Sequence, residues 1–257
     1  METRGAIMIT YHNMGRLGNN LFQYAFAQAL AISKGFKLVI PEQISGLRLA
    51  CADGHAFDGE AIEINALNLD LIQLPFQRRR YHLNGFFQKT KYYDFKKCRE
   101  WIQFEQPVVK RPDCDLIVHV RLGDYLEVGS YLATDGGDYS EGWFVGRRYY
   151  ELALAMFPKS RYCRYAMSDD VNHPIFKELC RVHELIPLPS GDRIVDLWTM
   201  ASFDNLVIPN STYGWWGGVL SGSNQIVYPH NVHPWPLDDR IDLRVKEWVM
   251  VDLKGKR

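Results

Sequence analysis

Arg121 is the side chain whose type and position point most directly to chemistry, because it directly follows the apolar run Leu116–Val120. A guanidinium at the end of such a run needs an anionic partner. It can hold two phosphate oxygens with parallel N–H donors while keeping its charge. His119, inside the same run, could contact a base or a ribose. A histidine in an apolar strand is more often a buried core residue, however, so both interpretations stay open.

Two further polar motifs could complete a nucleotide site. Asp169 and Asp170 follow the apolar run Tyr165–Met167 and could accept hydrogen bonds from a base edge or a ribose, or else cap a helix. A helix opening at the third motif would direct its first N–H groups and its positive dipole end at a phosphate, although the hydroxyls could also serve only as an N-cap. This third motif follows Leu206–Ile208 and consists of Asn210, Ser211, Thr212 and Tyr213.

All three motifs lie at strand ends of one predicted α/β unit, in which short apolar runs alternate with helix-like stretches. This alternation predicts a doubly wound, Rossmann-like sheet, whose ligands bind beyond the carboxyl ends of the strands. The predicted strands are Leu116–Val120, Tyr165–Met167, Leu185–Leu188, Leu206–Ile208 and Ile226–Tyr228. The predicted helices are Arg148–Met156, His173–Cys180, Asp192–Ala201 and Ser211–Leu220, the last with Trp215 and Trp216 in the core.

The chain opens with another strand–loop–helix–strand unit, which predicts a second parallel sheet. Its turn has no Gly-Lys-Ser/Thr and lacks the third glycine of the dinucleotide fingerprint, so by itself it is a weak signal. We expect two domains: an N-terminal α/β domain over residues 1–112, and a C-terminal Rossmann-like nucleotide-binding domain with a C-terminal tail over residues 113–257. The opening unit consists of a strand Ala6–Tyr11, a turn Gly15–Asn20, a helix from about Asn20 to Lys34 ended by Gly35, and a strand Phe36–Ile40.

The overall composition excludes several classes of protein. The 257 residues are 47% hydrophobic, and 30 Lys and Arg balance 30 Asp and Glu. Such a chain is folded rather than disordered, and its zero net charge argues against a nucleic-acid binder. The 5 cysteines form no C-x-x-C pair, which favours free thiols in a reducing compartment. With neither a signal peptide nor a membrane-spanning run visible, we expect a cytoplasmic location and leave peripheral membrane association open.

Four segments of the chain together resemble family 11 glycosyltransferases, the α-1,2-fucosyltransferases. Gly15–Ala25 resembles the family's Gly-x-Leu-Gly-Asn-Gln-Met/Leu-Phe-Gln-Tyr-Ala, and His119–Tyr125 resembles its His-x-Arg-Arg-Gly-Asp-Tyr. Ser168–Asp170 matches its Ser-Asp-Asp, and Asn210–Gly218 is similar to its Asn-Ser-Ser-Phe-Ser-Trp-Trp-Gly-Ala. The four segments occur in the family's order, and their combination is what makes the resemblance specific.

The resemblance implies a GT-B-type fold, in which two Rossmann-like domains hold GDP-fucose in the cleft between them. It implies inverting, metal-independent transfer of fucose to a galactose-type hydroxyl of a glycan in α-1,2 linkage, with no cofactor besides the donor substrate. In related fucosyltransferases the first arginine of the His-x-Arg motif contacts the donor diphosphate, and it corresponds to Arg121. The O-fucosyltransferases also use the Arg and Asn of a Gly-Arg-Phe-Gly-Asn loop, which correspond to Arg16, an expected donor contact, and Asn19, an expected catalytic residue. Two alternatives stay open: a glycosyltransferase that uses another nucleotide sugar, and a non-catalytic nucleotide- or carbohydrate-binding protein.

The chain also departs from the family's pattern. The second arginine of the His-x-Arg-Arg motif is Leu122 here, a glutamine is replaced by Asn20, and Phe203-Asp204-Asn205 stands where a histidine is usual. Acceptor contacts are expected within residues 42–110 and 126–147, and the oligomeric state stays open.

Two assignments of acidic residues follow from the proposed transfer. Asp124 is the carboxylate best placed to take the acceptor proton, with Glu127 second. Asp113-Cys114-Asp115 resembles the Asp-x-Asp of metal-dependent glycosyltransferases but precedes its strand. A structural role and no metal ligand are therefore expected there.

Overall fold

The computed structural model describes residues 7–50, 61–65, 80–127, 143–223, 225–230 and 241–253. The chain divides into two compact units. The first comprises Met1–Gln106 and Asp239–Leu243, and the second comprises Pro107–Asp238 and Arg244–Arg257. From the sequence we expected the boundary between the two domains after residue 112. That a second segment, Asp239–Leu243, belongs to the first unit was not predicted.

The first unit contains a four-stranded parallel sheet with the order β2-β1-β5-β4. Its strands are β1 (Met8–Tyr11), β2 (Lys37–Leu38), β4 (Ile62–Asn65) and β5 (Arg80–Asn84). The strand β3 (Leu47–Leu49) pairs antiparallel with β6 (Ile102–Phe104), and the helical segments are α1 (Leu17–Lys34), a short 3-10 helix (Thr90–Tyr92) and α2 (Phe95–Trp101). The predicted strand–loop–helix–strand opening is confirmed.

Helix α1 begins at Leu17, three residues before the predicted start at about Asn20. The first turn of a helix needs no intrahelical partner for its N–H groups, so Gly18 and Asn19 are accommodated there. The helix ends as expected at Gly35, whose left-handed backbone lets its N–H bond to the carbonyl of Ile32.

The second unit contains a six-stranded, fully parallel sheet with the order β12-β11-β10-β7-β8-β9. Its strands are β7 (Asp115–Val120), β8 (Cys163–Ser168), β9 (Ile186–Pro187), β10 (Asn205–Val207), β11 (Gln225–His230) and β12 (Val249–Asp252). Counted within the unit, this is the strand order 3-2-1-4-5-6 of dinucleotide-binding folds. The five predicted strands are confirmed, whereas Val249–Asp252, assigned to a C-terminal tail, forms the edge strand β12.

In the described residues of this unit, five helices accompany the sheet: α3 (Gly123–Glu127), α4 (Arg147–Leu154), α5 (Pro174–His183), α6 (Arg193–Ala201) and α7 (Thr212–Ser221). The four predicted helices correspond to α4–α7, and α3 was not predicted. Side chains at helix starts explain where two of them begin, because Asp192 and Ser211 each accept a hydrogen bond from the first turn that follows. Trp215 and Trp216 on α7 are fully buried, which confirms the prediction that they belong to the core.

The acidic motif Asp113–Asp115 lies at the amino-terminal edge of this sheet. The carboxylate of Asp115 is almost fully buried and accepts a hydrogen bond from Nε of Arg111 at 3.0 Å. The Asn205 amide donates to the carbonyls of Asp113 and Asp115, so the motif holds β7 against the start of β10. This arrangement agrees with the expected structural role.

None of the helices in the described ranges combines the length and the hydrophobicity needed to cross a lipid bilayer.

Candidate functional site

The second sheet has its topological switch point between β7 and β10, where the direction of strand succession reverses. The two strands pair in parallel, with Val118 opposite Val207, so the residues after each strand emerge at one edge. In open α/β sheets, ligands bind in the crevice at such a point. Arg121 follows β7 and Asn210 follows β10, so the predicted motifs lie at the place where a ligand is expected.

Two adjacent tyrosines of α4 hold the carboxyl ends of the strands in place, and sequence reasoning missed both. The Tyr150 hydroxyl donates to the carbonyl of His119 at 3.2 Å. The Tyr149 hydroxyl lies 2.6 Å from the carbonyl oxygen of Ile208 and 3.0 Å from that of Val227. Burial raises the pKa of both phenols well above the ordinary value, so they remain protonated donors. In the sequence, the only indication of these contacts is a Tyr-Tyr pair within a predicted helix.

The guanidinium of Arg121 is paired with two carboxylates. Nη1 lies 2.9 Å from Oδ2 of Asp169, and Nη2 donates to Oδ1 of Asp124. The Arg121 side chain is 15% exposed, and its guanidinium carbon lies 5.3 Å from the centroid of the Tyr125 ring. Asp124 and Asp169 thus supply the anionic partner that was expected for Arg121. The three side chains together carry a formal charge of −1.

Asp169 makes a second contact that connects β8 to the turn after β7. Its Oδ1 accepts a hydrogen bond from the backbone N–H of Leu122 at 2.8 Å. This approach requires glycine at position 123, because a Cβ there would overlap Oδ2 of Asp169, and the φ of Gly123 is +22°. The side chain of Leu122 is fully buried, so a second arginine at this position would be forced into the core.

His119 is a buried, neutral imidazole at the same edge. Burial, with a smaller effect from the charge of Arg121, lowers the pKa of His119 from 6.5 to about 3. Its Nδ1 has no hydrogen-bond partner among the described residues. Gly214 allows α7 to come this close, because a Cβ there would lie 2.9 Å from Nδ1. His119 is therefore a core residue whose Nδ1 forms no hydrogen bond with the described residues.

The motif at the start of α7 serves first as a helix cap. The Ser211 hydroxyl oxygen accepts a hydrogen bond from the Gly214 N–H at 3.0 Å, and both Asn210 and Ser211 are buried. The Asn210 amide donates to the carbonyl of Trp143 at 3.2 Å, while its Oδ1 has no partner among the described residues. Thr212 begins the helix and is half-buried.

The polar groups of Tyr213 and Asp170 make hydrogen bonds to residues other than Arg121, and the Tyr213 ring lies 5.7 Å from the His119 ring. The Tyr213 hydroxyl donates to the carbonyl of Arg193 at 2.5 Å, and burial raises the pKa of this phenol. Asp170 accepts a hydrogen bond from the N–H of Asn172 at 3.0 Å, which forms a turn ahead of α5. The N-cap of α5 is His173, so neither Asp169 nor Asp170 caps that helix.

Arg16 and Asn19 belong to the first unit and follow β1, beside the switch point between β1 and β5. Arg16 is exposed at the N-cap of α1. The Oδ1 of Asn19 accepts a hydrogen bond at 2.9 Å from Gln88, which follows β5. The Asn20 amide donates to the carbonyl of Met14 at 3.1 Å, so Asn20 supports the turn.

The described residues contain no group of three or more His, Cys, Asp or Glu side chains that could hold a metal ion. The nine predicted site residues of the second unit all follow or end strands at the carboxyl edge of its sheet. Of these, Arg121, Asp124 and Asp169 form the one ion-paired cluster within the described part of that edge.

Comparison with known proteins gives both family and structural matches. The model described as "Glycosyl transferase family 11" matches residues 58–252. NodZ, an alpha-1,6-fucosyltransferase soaked with GDP-fucose, has a TM-score of 0.50 and 11% identity, covering 84% of this chain and 93% of its own. A mutant of Arabidopsis thaliana FUT1 in complex with GDP has a TM-score of 0.55 and 11% identity, and the match covers 88% of this chain and 71% of the FUT1 chain. A search of curated proteins finds no match.

At 11% identity, these two likenesses bear on the fold alone. They confirm the predicted GT-B-type α/β architecture with two Rossmann-like domains.

Proposed function

Because the chain belongs to glycosyl transferase family 11, we propose that this glycosyltransferase moves fucose from GDP-fucose to a galactose-type hydroxyl of a glycan, in α-1,2 linkage. The proposed reaction inverts the anomeric carbon and needs no metal ion. Two structural neighbours support the choice of donor, since NodZ is a fucosyltransferase soaked with GDP-fucose and FUT1 is in complex with GDP.

The observation that carries this proposal is the position of Arg121 at the switch point of the second sheet, directly after β7, whose parallel neighbour β10 leads into α7. In the transfer, the bond between the fucose C1 and the diphosphate oxygen breaks, and a bond from the acceptor oxygen to C1 forms. The departing GDP takes the electron pair of the broken bond. Arg121 stabilises the charge that develops on the diphosphate, and the first N–H groups of α7 add to this effect.

The remaining site residues have proposed roles around this centre. Asp124 takes the acceptor proton after the diphosphate has replaced it on Arg121. His119, whose buried Nδ1 has no partner in the described part of the chain, contacts the nucleoside together with Asp170, Asn210 and Thr212. Arg16, Ser211 and Tyr213 are proposed donor contacts, and Asn19 is a proposed catalytic residue, because their motifs resemble those of the family.

The test is a transfer assay with a panel of nucleotide sugars and a glycan acceptor, run on wild type, Arg121→Ala and Arg148→Ala. Arg148 is a matched control, because it is an exposed arginine paired with Glu151 on α4. We expect transfer from GDP-fucose, with Arg121→Ala lowering kcat by about 10²–10³, the usual effect of removing one such charge-stabilising donor. Arg148→Ala should remain within twofold of wild type.

Further readouts address the finer parts of the proposal. We expect full activity in EDTA, and a product whose linkage analysis gives an α-1,2 bond with inverted anomeric configuration. Loss of activity in EDTA that Mn²⁺ restores would contradict metal independence. Transfer from another nucleotide sugar would reassign the donor. GDP binding without turnover on any glycan would indicate a non-catalytic binding protein.

A further inference from the structure

The Arg121 guanidinium has two carboxylate partners, and their surroundings differ. Asp169 is 24% exposed and is also bound, through its second oxygen, to the backbone N–H of Leu122. Asp124 is 33% exposed and lies on the same short segment as Arg121, three residues further on. Asp169 thus connects two neighbouring strands of the sheet, whereas Asp124 pairs within one turn.

We propose that Asp169 is a positioning residue for Arg121: it holds Nη1 in place so that the Nη2 edge, now paired with Asp124, receives the donor phosphate. This inference rests on the proposed function, because it assigns the anion that replaces Asp124. It also changes the role of Asp169, which was predicted from the sequence to contact the nucleoside.

The physical reason for such a residue is the absence of a second arginine. The side chain of Leu122 is fully buried, so only its backbone N–H takes part in this cluster, and this N–H donates a hydrogen bond to Asp169. A single guanidinium holds a diphosphate well only if its fork is fixed beforehand, since rotamer freedom would otherwise be lost on binding. Strand β8, which pairs with β7 along its whole length, provides a rigid base for that contact.

Positioning and simple electrostatics predict opposite results for Asp169→Asn. Loss of a negative charge beside an anion site should by itself strengthen GDP binding. If the carboxylate fixes Arg121, the substitution should instead weaken GDP binding, by about tenfold or more. The matched control is Asp204→Asn, which removes a carboxylate paired with Lys110 at 2.7 Å, just before β10 at the other edge of the same sheet.

The first experiment measures the Kd of GDP and of guanosine by calorimetry for wild type, Asp169→Asn, Arg121→Ala, the double variant and Asp204→Asn. We expect Asp169→Asn to raise the Kd of GDP while the Kd of guanosine changes less than twofold. When Arg121→Ala is already present, adding Asp169→Asn should change the Kd of GDP by less than twofold. Asp204→Asn should match wild type. Equal losses for GDP and guanosine would show a nucleoside contact instead. Tighter GDP binding, or a multiplicative loss in the double variant, would also overturn the proposal.

A second variant disturbs the position of Asp169 without changing any charge. In Gly123→Ala, the new Cβ would overlap Oδ2 of Asp169, so GDP binding should weaken in the same direction. Gly146→Ala is the control, because Gly146 also has a positive φ but would place its Cβ in open space. An unchanged GDP affinity in Gly123→Ala would contradict the proposed geometry.

The second experiment needs no nucleotide. Phenylglyoxal modification of Arg121, quantified by peptide mass spectrometry, should be several-fold faster in Asp169→Asn than in wild type or Asp204→Asn, with thermal unfolding used to confirm that each is folded. An unchanged rate would overturn the positioning role. If wild type binds no GDP, the proposed donor is wrong, and this rate still decides whether Asp169 holds Arg121.

Discussion

At the scale of single residues, the candidate site is organised around one guanidinium and its two carboxylates. Arg121 was expected to meet a ligand anion, and the structure pairs it with Asp124 and Asp169. A paired arginine can still bind a phosphate by exchange, because phosphate offers the same bidentate geometry as a carboxylate. Asp124, the proposed proton acceptor, is the partner whose release that exchange requires.

Asp124→Asn separates two uses of this carboxylate. If Asp124 takes the acceptor proton, kcat should fall by about 10²–10⁴ while GDP binds as tightly as in wild type or more tightly. Steady-state kinetics together with GDP calorimetry checks this expectation. A variant that binds GDP more tightly but keeps its kcat would show that Asp124 acts only as a counterion for Arg121.

At the scale of elements, α4 determines how accurately the strand ends are placed. Its two tyrosines bind the carbonyls of His119 near the end of β7, of Ile208 just after β10 and of Val227 within β11. The carbonyl of Val227 also accepts a hydrogen bond from the N–H of Ile208, so Tyr149 is an additional donor to this buried oxygen. The edge that carries the predicted motifs is therefore held by a helix that contributes none of them.

Tyr149→Phe should destabilise the second unit by about 1–3 kcal/mol, because the buried carbonyls of Ile208 and Val227 lose a hydrogen-bond donor. Urea unfolding of wild type and the variant measures this difference. Tyr162→Phe provides the control, since Tyr162 is only half-buried and packs its ring on Phe157. Equal stability of Tyr149→Phe and wild type would contradict the role assigned to α4.

At the scale of the whole molecule, each unit has a parallel sheet with its own switch point. Arg16 and Asn19 follow the first strand of one sheet, and Arg121 follows the first strand of the other. The overall charge of zero means that neither stability nor binding is dominated by a net field. Buried groups with shifted pKa values, such as His119, contribute to the response of the molecule to pH.

His119 should make the protein less stable in acid. Its pKa is lowered from 6.5 to about 3, so below pH 6.5 the unfolded chain binds a proton that the folded chain does not. The free energy of unfolding should therefore fall as the pH falls, by about 2 kcal/mol between pH 8 and pH 5 from this group.

Urea unfolding at both pH values should show that this dependence is about 2 kcal/mol smaller in His119→Gln. The same pH dependence in His119→Gln and wild type would contradict a neutral, buried imidazole.

The sequence predicted the central strands β7 and β10 well because they are buried along their whole length and contain short apolar runs. It missed β12, whose residues Val249–Asp252 lie at the sheet edge and are mostly part-exposed, so that they look like a loop. It also missed α3, because a helix of five residues that begins with a glycine carries too little periodicity to be identified.

The sequence by itself determined the family, through four motifs in order, and the sheet edge where most of the site residues lie, because strands and their following turns are local patterns. Only the tertiary structure decided which atoms meet there. Leu122 and Asp169 are 47 residues apart, and nothing local in the chain indicates that this carboxylate bridges that N–H and Arg121. Such partners are set by the pairing of β7 with β8 and by the space that Gly123 leaves, and both depend on the folded chain.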